Sequence, residues 1–112
     1  MKISCDAIPS VSGIYLIRNN VNNKVYIGQS VDIKRRIGEH LRSGQPEKYS
    51  KKSERDTNTP IHKAMQKYGI ENFEVQVLEK CSRENLNNKE IYWIQIFDST
   101  NCNKGYNIAS GG

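Results

Sequence analysis

Four side chains in this sequence raise a chemical question before any element is drawn: Glu90, Arg36, Tyr15 and Tyr26. Glu90 stands in "NKEIYWI", and on a helical wheel it falls between Leu86 and Phe97 on one side and Ile94 on the other. A carboxylate inside an apolar stripe loses hydration, which is costly unless a cation or hydrogen-bond donors compensate. Its neighbours one helical turn away are Leu86 and Ile94, so compensation has to come from another element. Three arrangements would satisfy it: Arg36 reaching over from the sheet side, a divalent metal ion, or a wider stripe with Glu90 on its rim. Arg36 lies in "DIKRRIGEH" beside an apolar series, Ile33, Ile37 and Leu41, and His40 follows one turn later on the same face. A guanidinium held there can clamp a phosphate with two parallel hydrogen bonds. Tyr15 and Tyr26 are candidates for proton transfer. A phenol titrates near pH ~10, so acting as a base at neutral pH requires nearby cations, which Arg36, a metal or His40 would supply. Tyr49, Tyr68 and Tyr92 read as packing residues.

These side chains need elements to hold them. "VSGIYLIR" and "KVYIG" read as strands, and "NNVNN" between them as a turn, because asparagine tolerates positive φ. In the resulting hairpin the register decides where the phenols point. An odd sum of paired residue numbers puts Tyr15 and Tyr26 on one face, and an even sum puts them on opposite faces. A helix is expected from about Val31 to Arg42, with Ser30 as its N-cap. Residues 43–57 lack periodicity and read as a long loop. "TPIHKAMQKYG" reads as a second helix, with Thr59 as cap, Pro60 as first residue, Gly69 as stop, and a stripe of Ile61, Ala64, Met65 and Tyr68. "NFEVQVLEK" alternates as a strand with Phe73, Val75 and Val77 on one face. "SRENLNNKEIYWIQIFDS" reads as a last helix capped by Ser82. The β-β-α-α-β-α order is an α+β pattern: a small three-stranded antiparallel sheet flanked by helices, in one domain over residues 1–112.

Charge narrows the partners. Residues 34–67 hold ten Lys/Arg and four acids, a net of +6 in a chain whose total is +5. A basic middle suits a polyanion, most often nucleic acid, and such binding weakens steeply with salt. The three cysteines, Cys5, Cys81 and Cys102, are too scattered for a zinc site or a disulfide framework and read as buried or free thiols. No apolar run has the length of a membrane span and no signal-peptide pattern opens the chain, so a cytoplasmic address is expected.

Together these residues match a pattern. "GIY" at 13–15 and "YIG" at 26–28, ten residues apart, resemble the signature of the GIY-YIG endonuclease domain. Arg36, His40, Glu90 and the asparagine of "GYN", Asn107, follow in the family's order, and the resemblance covers Val11 to Asn107. The resemblance implies hydrolysis of a phosphodiester in double-stranded DNA with one divalent ion, Mg²⁺ or Mn²⁺. It makes Glu90 the metal ligand and Arg36 the stabiliser of the pentacovalent phosphate. One of Tyr15 and Tyr26 would activate the attacking water and the other would position it or the phosphate. His40 would assist proton transfer or contact the phosphate. Gly13, Gly28 and Asn107 would hold local structure near the site. Phosphate contacts along the DNA are expected from Lys34, Arg35, Arg42, Lys51, Lys52 and Lys63. The hairpin and the "GYNIASGG" ending resemble phage-type and intron-type homing members, whereas Gln29 stands where some repair-type members carry lysine. Homing members carry DNA-recognition modules beyond the catalytic domain, and nothing in this chain resembles one. A branch- or lesion-directed repair nuclease and a non-catalytic nucleic-acid-binding module are the other readings. The non-catalytic module would be expected to have lost one of Tyr15, Tyr26, Arg36 or Glu90, and all four are present. One geometric expectation follows: both phenols share a face, and that face looks toward Arg36 and Glu90.

Overall fold

The computed structural model describes residues 8–45 and 59–108. Strands β1 (Gly13–Asn19) and β2 (Val25–Ser30) form the hairpin, followed by helices α1 (Ile33–Ser43) and α2 (Pro60–Tyr68), strand β3 (Phe73–Lys80) and helix α3 (Leu86–Phe97). The sheet order is β2-β1-β3, with β1 antiparallel to both neighbours. The asparagine turn closes through its own chemistry. Asn23 takes φ 65°, the Asn19 carboxamide accepts from Val21 N–H at 2.9 Å, and that of Asn22 accepts from Lys24 N–H at 3.0 Å.

The hairpin register is the odd one. Tyr15 pairs with Gly28 and Ile17 with Tyr26, so the two phenols are diagonal neighbours on one face, with ring centroids 6.4 Å apart. That face carries Tyr15 and Ile17 against Ile33 and Ile37 of α1, Ile61 and Met65 of α2, and Phe73. The opposite face carries Ile14 and Leu16 with Val25 and Ile27 against Leu86 and Ile94 of α3. The central strand is therefore buried on both sides, which is why "GIYLI" is a continuous apolar run rather than an alternating one. Each of its side chains withdrawn from water contributes on the order of 1.5–3 kcal/mol.

Several expectations change here. The N-cap of α1 is Asp32, whose carboxylate accepts from Arg35 N–H at 3.2 Å, and not Ser30. The Ser30 hydroxyl instead accepts from Asp32 N–H at 3.0 Å and shapes the turn before the helix. The last helix begins at Leu86, three residues later than a Ser82 cap implies, because Arg83–Asn85 form a 3₁₀ turn first. Opposite Ile14 and Tyr15 the pairing skips Leu78, which turns Glu79 toward α3. There Glu79 accepts from Trp93 Nε1 at 3.0 Å and pairs with Lys89 at 3.1 Å. Cys81 is half-buried and Cys102 exposed, both as free thiols. Most of the expected 43–57 loop, including Tyr49, Lys51 and Lys52, lies outside the described residues. No helix among the described residues is long and apolar enough to cross a membrane.

The larger correction concerns faces. α1 covers the phenol face, but α3 packs on the opposite side of the sheet. The helix that carries Glu90 is thus on the other layer from α1, yet the Glu90 charge still acts on the Tyr15 phenol. Glu90 is half-buried on α3, the rim position rather than the middle of the buried stripe, and it meets the sheet at the edge strand β2.

Candidate active site

Period-two alternation on β1 and β2 and a one-turn spacing on α1 bring Tyr15, Tyr26, Arg36 and His40 together. The His40 ring sits edge-on to both phenols, with centroids 5.7 Å from Tyr15 and 5.5 Å from Tyr26. His40 Nε2 is 2.7 Å from the Tyr15 hydroxyl. Tyr15 and His40 are each only 1% exposed. The Tyr15 phenol lies across Gly28 of β2, where a Cβ would come within 2.9 Å of Tyr15 Cε1 and closer still to Cζ and the hydroxyl. "YIG" thus ends in glycine so that the "GIY" phenol can lie over it. Gly13 is similarly crowded, by the Glu79 carbonyl of β3.

Burial raises the Tyr15 phenol well above the ordinary tyrosine range, and the neighbouring Tyr26 adds to this. Arg36 opposes both through its charge and a side-chain hydrogen bond, and the more distant Glu90 charge pushes the phenol up slightly. Tyr15 is therefore protonated at neutral pH. Arg36 is only a donor, so of these two neighbours His40 alone can accept the phenol hydrogen. Burial first, then the Arg36 charge and the presence of a second imidazole, His62, beside it, hold His40 well below the ordinary histidine range, so its ring is neutral. With Nε2 accepting, its one proton sits on Nδ1. Burial disfavours the Arg36 cation, but the phenol of Tyr15 and the Glu39 carboxylate outweigh it and the guanidinium stays firmly charged. Arg36 Nη1 donates to Glu39 Oε1 at 2.9 Å.

His40 Nδ1 lies 2.7 Å from Nε2 of His62, a fully buried residue of α2, and His62 Nδ1 lies 2.6 Å from Thr59 Oγ1. Thr59 stands at the N-cap of α2 but makes no side-chain capping bond. A capping hydroxyl is worth ~0.5–2 kcal/mol to a helix, and here the hydroxyl is turned to His62 instead. His62 does not stand out in the sequence. Its signal was weak: a histidine beside Ile61 on the buried arc of α2, three residues after a threonine.

At the β2 edge, Gln29 Nε2 donates to Glu90 Oε1 at 3.0 Å and to Asn87 Oδ1 at 2.8 Å. Gln29 thus orients the carboxylate, a role its position directly after "YIG" did not reveal. Among the described residues no three of His, Cys, Asp or Glu gather into a metal cage. A lone carboxylate still fits Mg²⁺, which keeps several waters and is commonly held by one or two carboxylates together with substrate phosphate. Asn107 closes the other flank: its Oδ1 accepts from Ile27 N–H and its Nδ2 donates to the Ile27 carbonyl, both at 2.9 Å. The Asn107 side chain thereby continues along the outer edge of β2 the pairing that Lys104 and Tyr106 make with the Val25 backbone. Arg35, Arg42 and Lys63 are exposed and Lys34 is half-buried, on the outer parts of α1 and α2.

The comparisons with known proteins agree with this geometry. A family model described as the GIY-YIG catalytic domain matches residues 11–107. Intron-associated endonuclease 1 of Enterobacteria phage T4 is 32% identical over 100 residues, covering 88% of this chain and 37% of that protein. Uncharacterized protein 019R of Invertebrate iridescent virus 6 is 35% identical over 101 residues, covering 87% of this chain and 33% of that protein. The chain thus spans about a third of the length of these relatives. Among solved structures, the catalytic domain of homing endonuclease I-TevI superposes with TM-score 0.69 at 31% identity, over 88% of this chain and 98% of that one. A point variant of the same domain gives TM-score 0.70 at 30% identity, over 90% of this chain and 96% of the other. The three-stranded antiparallel sheet with its flanking helices is the fold they share. By sequence match, fold and the residues assembled on its hairpin, the chain belongs to the GIY-YIG family of endonuclease catalytic domains.

Proposed function

We propose that this chain hydrolyses a phosphodiester bond of double-stranded DNA in a reaction that depends on a divalent metal ion. The observation that carries the reading is the buried Tyr15 phenol, 2.7 Å from a neutral imidazole nitrogen and beside a charged guanidinium. Neither a free phenolate nor an imidazolium is favoured there, so Tyr15 acts as a conduit. Its oxygen takes a proton from the attacking water while its own proton passes to His40 Nε2. Tyr26, on the same face, positions the water or the phosphate. Arg36 neutralises the charge that builds on the nonbridging oxygens as the phosphorus becomes pentacovalent. Glu90, oriented by Gln29, would hold the Mg²⁺ or Mn²⁺, which supplies charge neutralisation toward the phosphate and the leaving oxygen. The basic outer surface of α1 and α2 suits the phosphates of the duplex. The intron-associated and homing-endonuclease relatives support reading this domain as the cutting module of an endonuclease of that kind.

Supercoiled plasmid tests the reading directly. Nicking is expected with Mg²⁺ and none with EDTA. Glu90→Ala should abolish nicking while leaving retention of duplex DNA largely intact. If Glu90→Ala cuts at the wild-type rate, Glu90 is not the metal ligand.

A further inference from the structure

The hydrogen-bonded path at Tyr15 does not stop at His40. We propose that His62 is a proton-relay residue, and that Tyr15, His40, His62 and Thr59 form a wire that carries one proton per cut out of the buried site. The contacts are 2.7 Å from the Tyr15 hydroxyl to His40 Nε2, 2.7 Å from His40 Nδ1 to His62 Nε2, and 2.6 Å from His62 Nδ1 to Thr59 Oγ1. This rests on the reading of Tyr15 as the residue that takes the proton from water.

The directions are consistent along the whole path. Tyr15 donates to His40, His40 donates from Nδ1 to His62, and His62 donates from Nδ1 to the threonine oxygen, since a neutral imidazole has one donor and one acceptor. Transfer then runs as follows. The Tyr15 O–H bond breaks as an N–H bond forms at His40 Nε2. The His40 Nδ1–H bond breaks as one forms at His62 Nε2. The His62 Nδ1 proton passes to Thr59 Oγ1, whose own hydrogen leaves to a solvent water. Both rings end in their other neutral tautomer, and the phenol oxygen has its proton back from the attacking water. The starting tautomers are restored after product release. Tyr15 gives the proton it took from the attacking water to solvent entering the opened site, and the His40 Nε2 proton moves to the phenol oxygen. A solvent proton enters through Thr59 to re-protonate His62 Nδ1 as the His62 Nε2 proton passes back to His40 Nδ1.

Two features make the second histidine necessary. His40 faces Tyr15 from β1, Tyr26 from β2, Arg36 from its own helix and His62 from α2, and its proton affinity is depressed by burial and by the Arg36 charge. A positive charge would not rest there, so a proton received at Nε2 has to leave from Nδ1 in the same event. His62 is the group at that nitrogen, and it is 2% exposed, so water does not take its place. The exit also has an opening: Thr59 is half-buried at the start of α2, with its hydroxyl directed at His62 rather than at the helix N–H groups.

Single-turnover nicking of plasmid in Mg²⁺ buffer tests the wire, comparing the wild type with His62→Gln, Thr59→Val and Tyr15→Phe. Glutamine keeps a hydrogen-bonding group beside His40 Nδ1, but an amide does not pass protons between its ends as an imidazole does. His62→Gln is expected to cut at least about tenfold more slowly, with the His40 ¹⁵N shifts still those of the Nδ1–H tautomer. A wild-type rate with the same His40 tautomer overturns the relay and leaves His62 a packing residue. If glutamine unfolds the core, Thr59→Val decides. It is isosteric and lies at the rim, so a slowed rate in a folded protein supports the wire and an unchanged rate overturns it. Tyr15→Phe reports on the underlying reading. A wild-type rate there removes Tyr15 from proton transfer altogether. An inactive Tyr15→Phe beside a fully active His62→Gln removes only the relay.

Discussion

Gly28→Ala isolates the contact that seats the Tyr15 phenol in the candidate active site. The added methyl would meet the Tyr15 ring, at 2.9 Å from Cε1 and closer at Cζ and the hydroxyl. Carbon atoms pack at about 3.5–4.0 Å, so the phenol has to move by about 1 Å. It has nowhere easy to go: Tyr15 is 1% exposed, His40 stands 2.7 Å from its hydroxyl, and Tyr26 lies on the same face. Overpacking of this kind costs ~1–3 kcal/mol, and loss of a buried hydrogen bond adds ~0.5–1.5 kcal/mol. A destabilisation of about 2–4 kcal/mol is therefore expected by urea unfolding. Activity should suffer more than stability, because a misplacement of about 1 Å at a reacting group costs on the order of 10²-fold in rate. Nicking should be measured well below the unfolding midpoint, so that the folded protein is compared. Gly28→Ala within about 0.5 kcal/mol of wild type and cutting at the wild-type rate would refute the placement of the Tyr15 phenol over Gly28.

Asn107→Ala removes both bonds to the Ile27 backbone and should destabilise the fold by about 1–3 kcal/mol, read by thermal or urea unfolding, with slower cutting as β2 loosens. Arg36→Lys keeps the charge but loses the planar donor fork, so kcat should fall by about 10²-fold with KM little changed in steady-state nicking. The pH dependence of stability follows from His40. Its folded pKa lies well below its unfolded value of about 6.5, so the unfolded chain takes up the proton first. Its contribution is complete above pH ~6.5 and is lost as the pH falls through the folded pKa, so Tm should decline across that acid window. His40→Gln should flatten the decline, and an unchanged slope would show that His40 is not the neutral buried group.

Much of the fold is written in local pattern. The apolar run of β1, the asparagine turn, Pro60 and Gly69 bracketing α2, and the alternation of β3 each act within a few residues, so periodicity and turn chemistry reveal them. Cap choice was less legible, because Ser30 and Asp32 are both good caps two residues apart and their hydrogen bonds to each other settle which one serves. The start of α3 was misplaced for a related reason: a 3₁₀ turn and an α-helix share the same capping residues. Among the candidate site residues, Glu90 and Arg36 stood out by their place in or beside an apolar stripe, and Tyr15, Tyr26 and His40 by the family motifs they resemble. Gln29 and His62 did not, because each matters only through a partner distant in sequence, Glu90 and His40.

By itself the sequence determined which chemical groups are present and the two periodicities that aim them: alternation on the hairpin and one turn from Arg36 to His40. It could not choose between odd and even register, since a slip of one residue changes no composition and no pattern. Packing made that choice. Only an odd register puts Tyr26 on the face of Tyr15 and Ile17 under α1 while Val25 and Ile27 join Ile14 and Leu16 under α3, and the glycine that the phenol lies over stands opposite Tyr15 only in the pairing observed. Tertiary structure also decided that the helix carrying Glu90 packs on the far side of the sheet and brings the carboxylate to Gln29 at the β2 edge, and that two histidines 22 residues apart share a hydrogen bond in the core. Both depend on which face of the sheet each helix covers, a property of the assembled layers that no single segment carries.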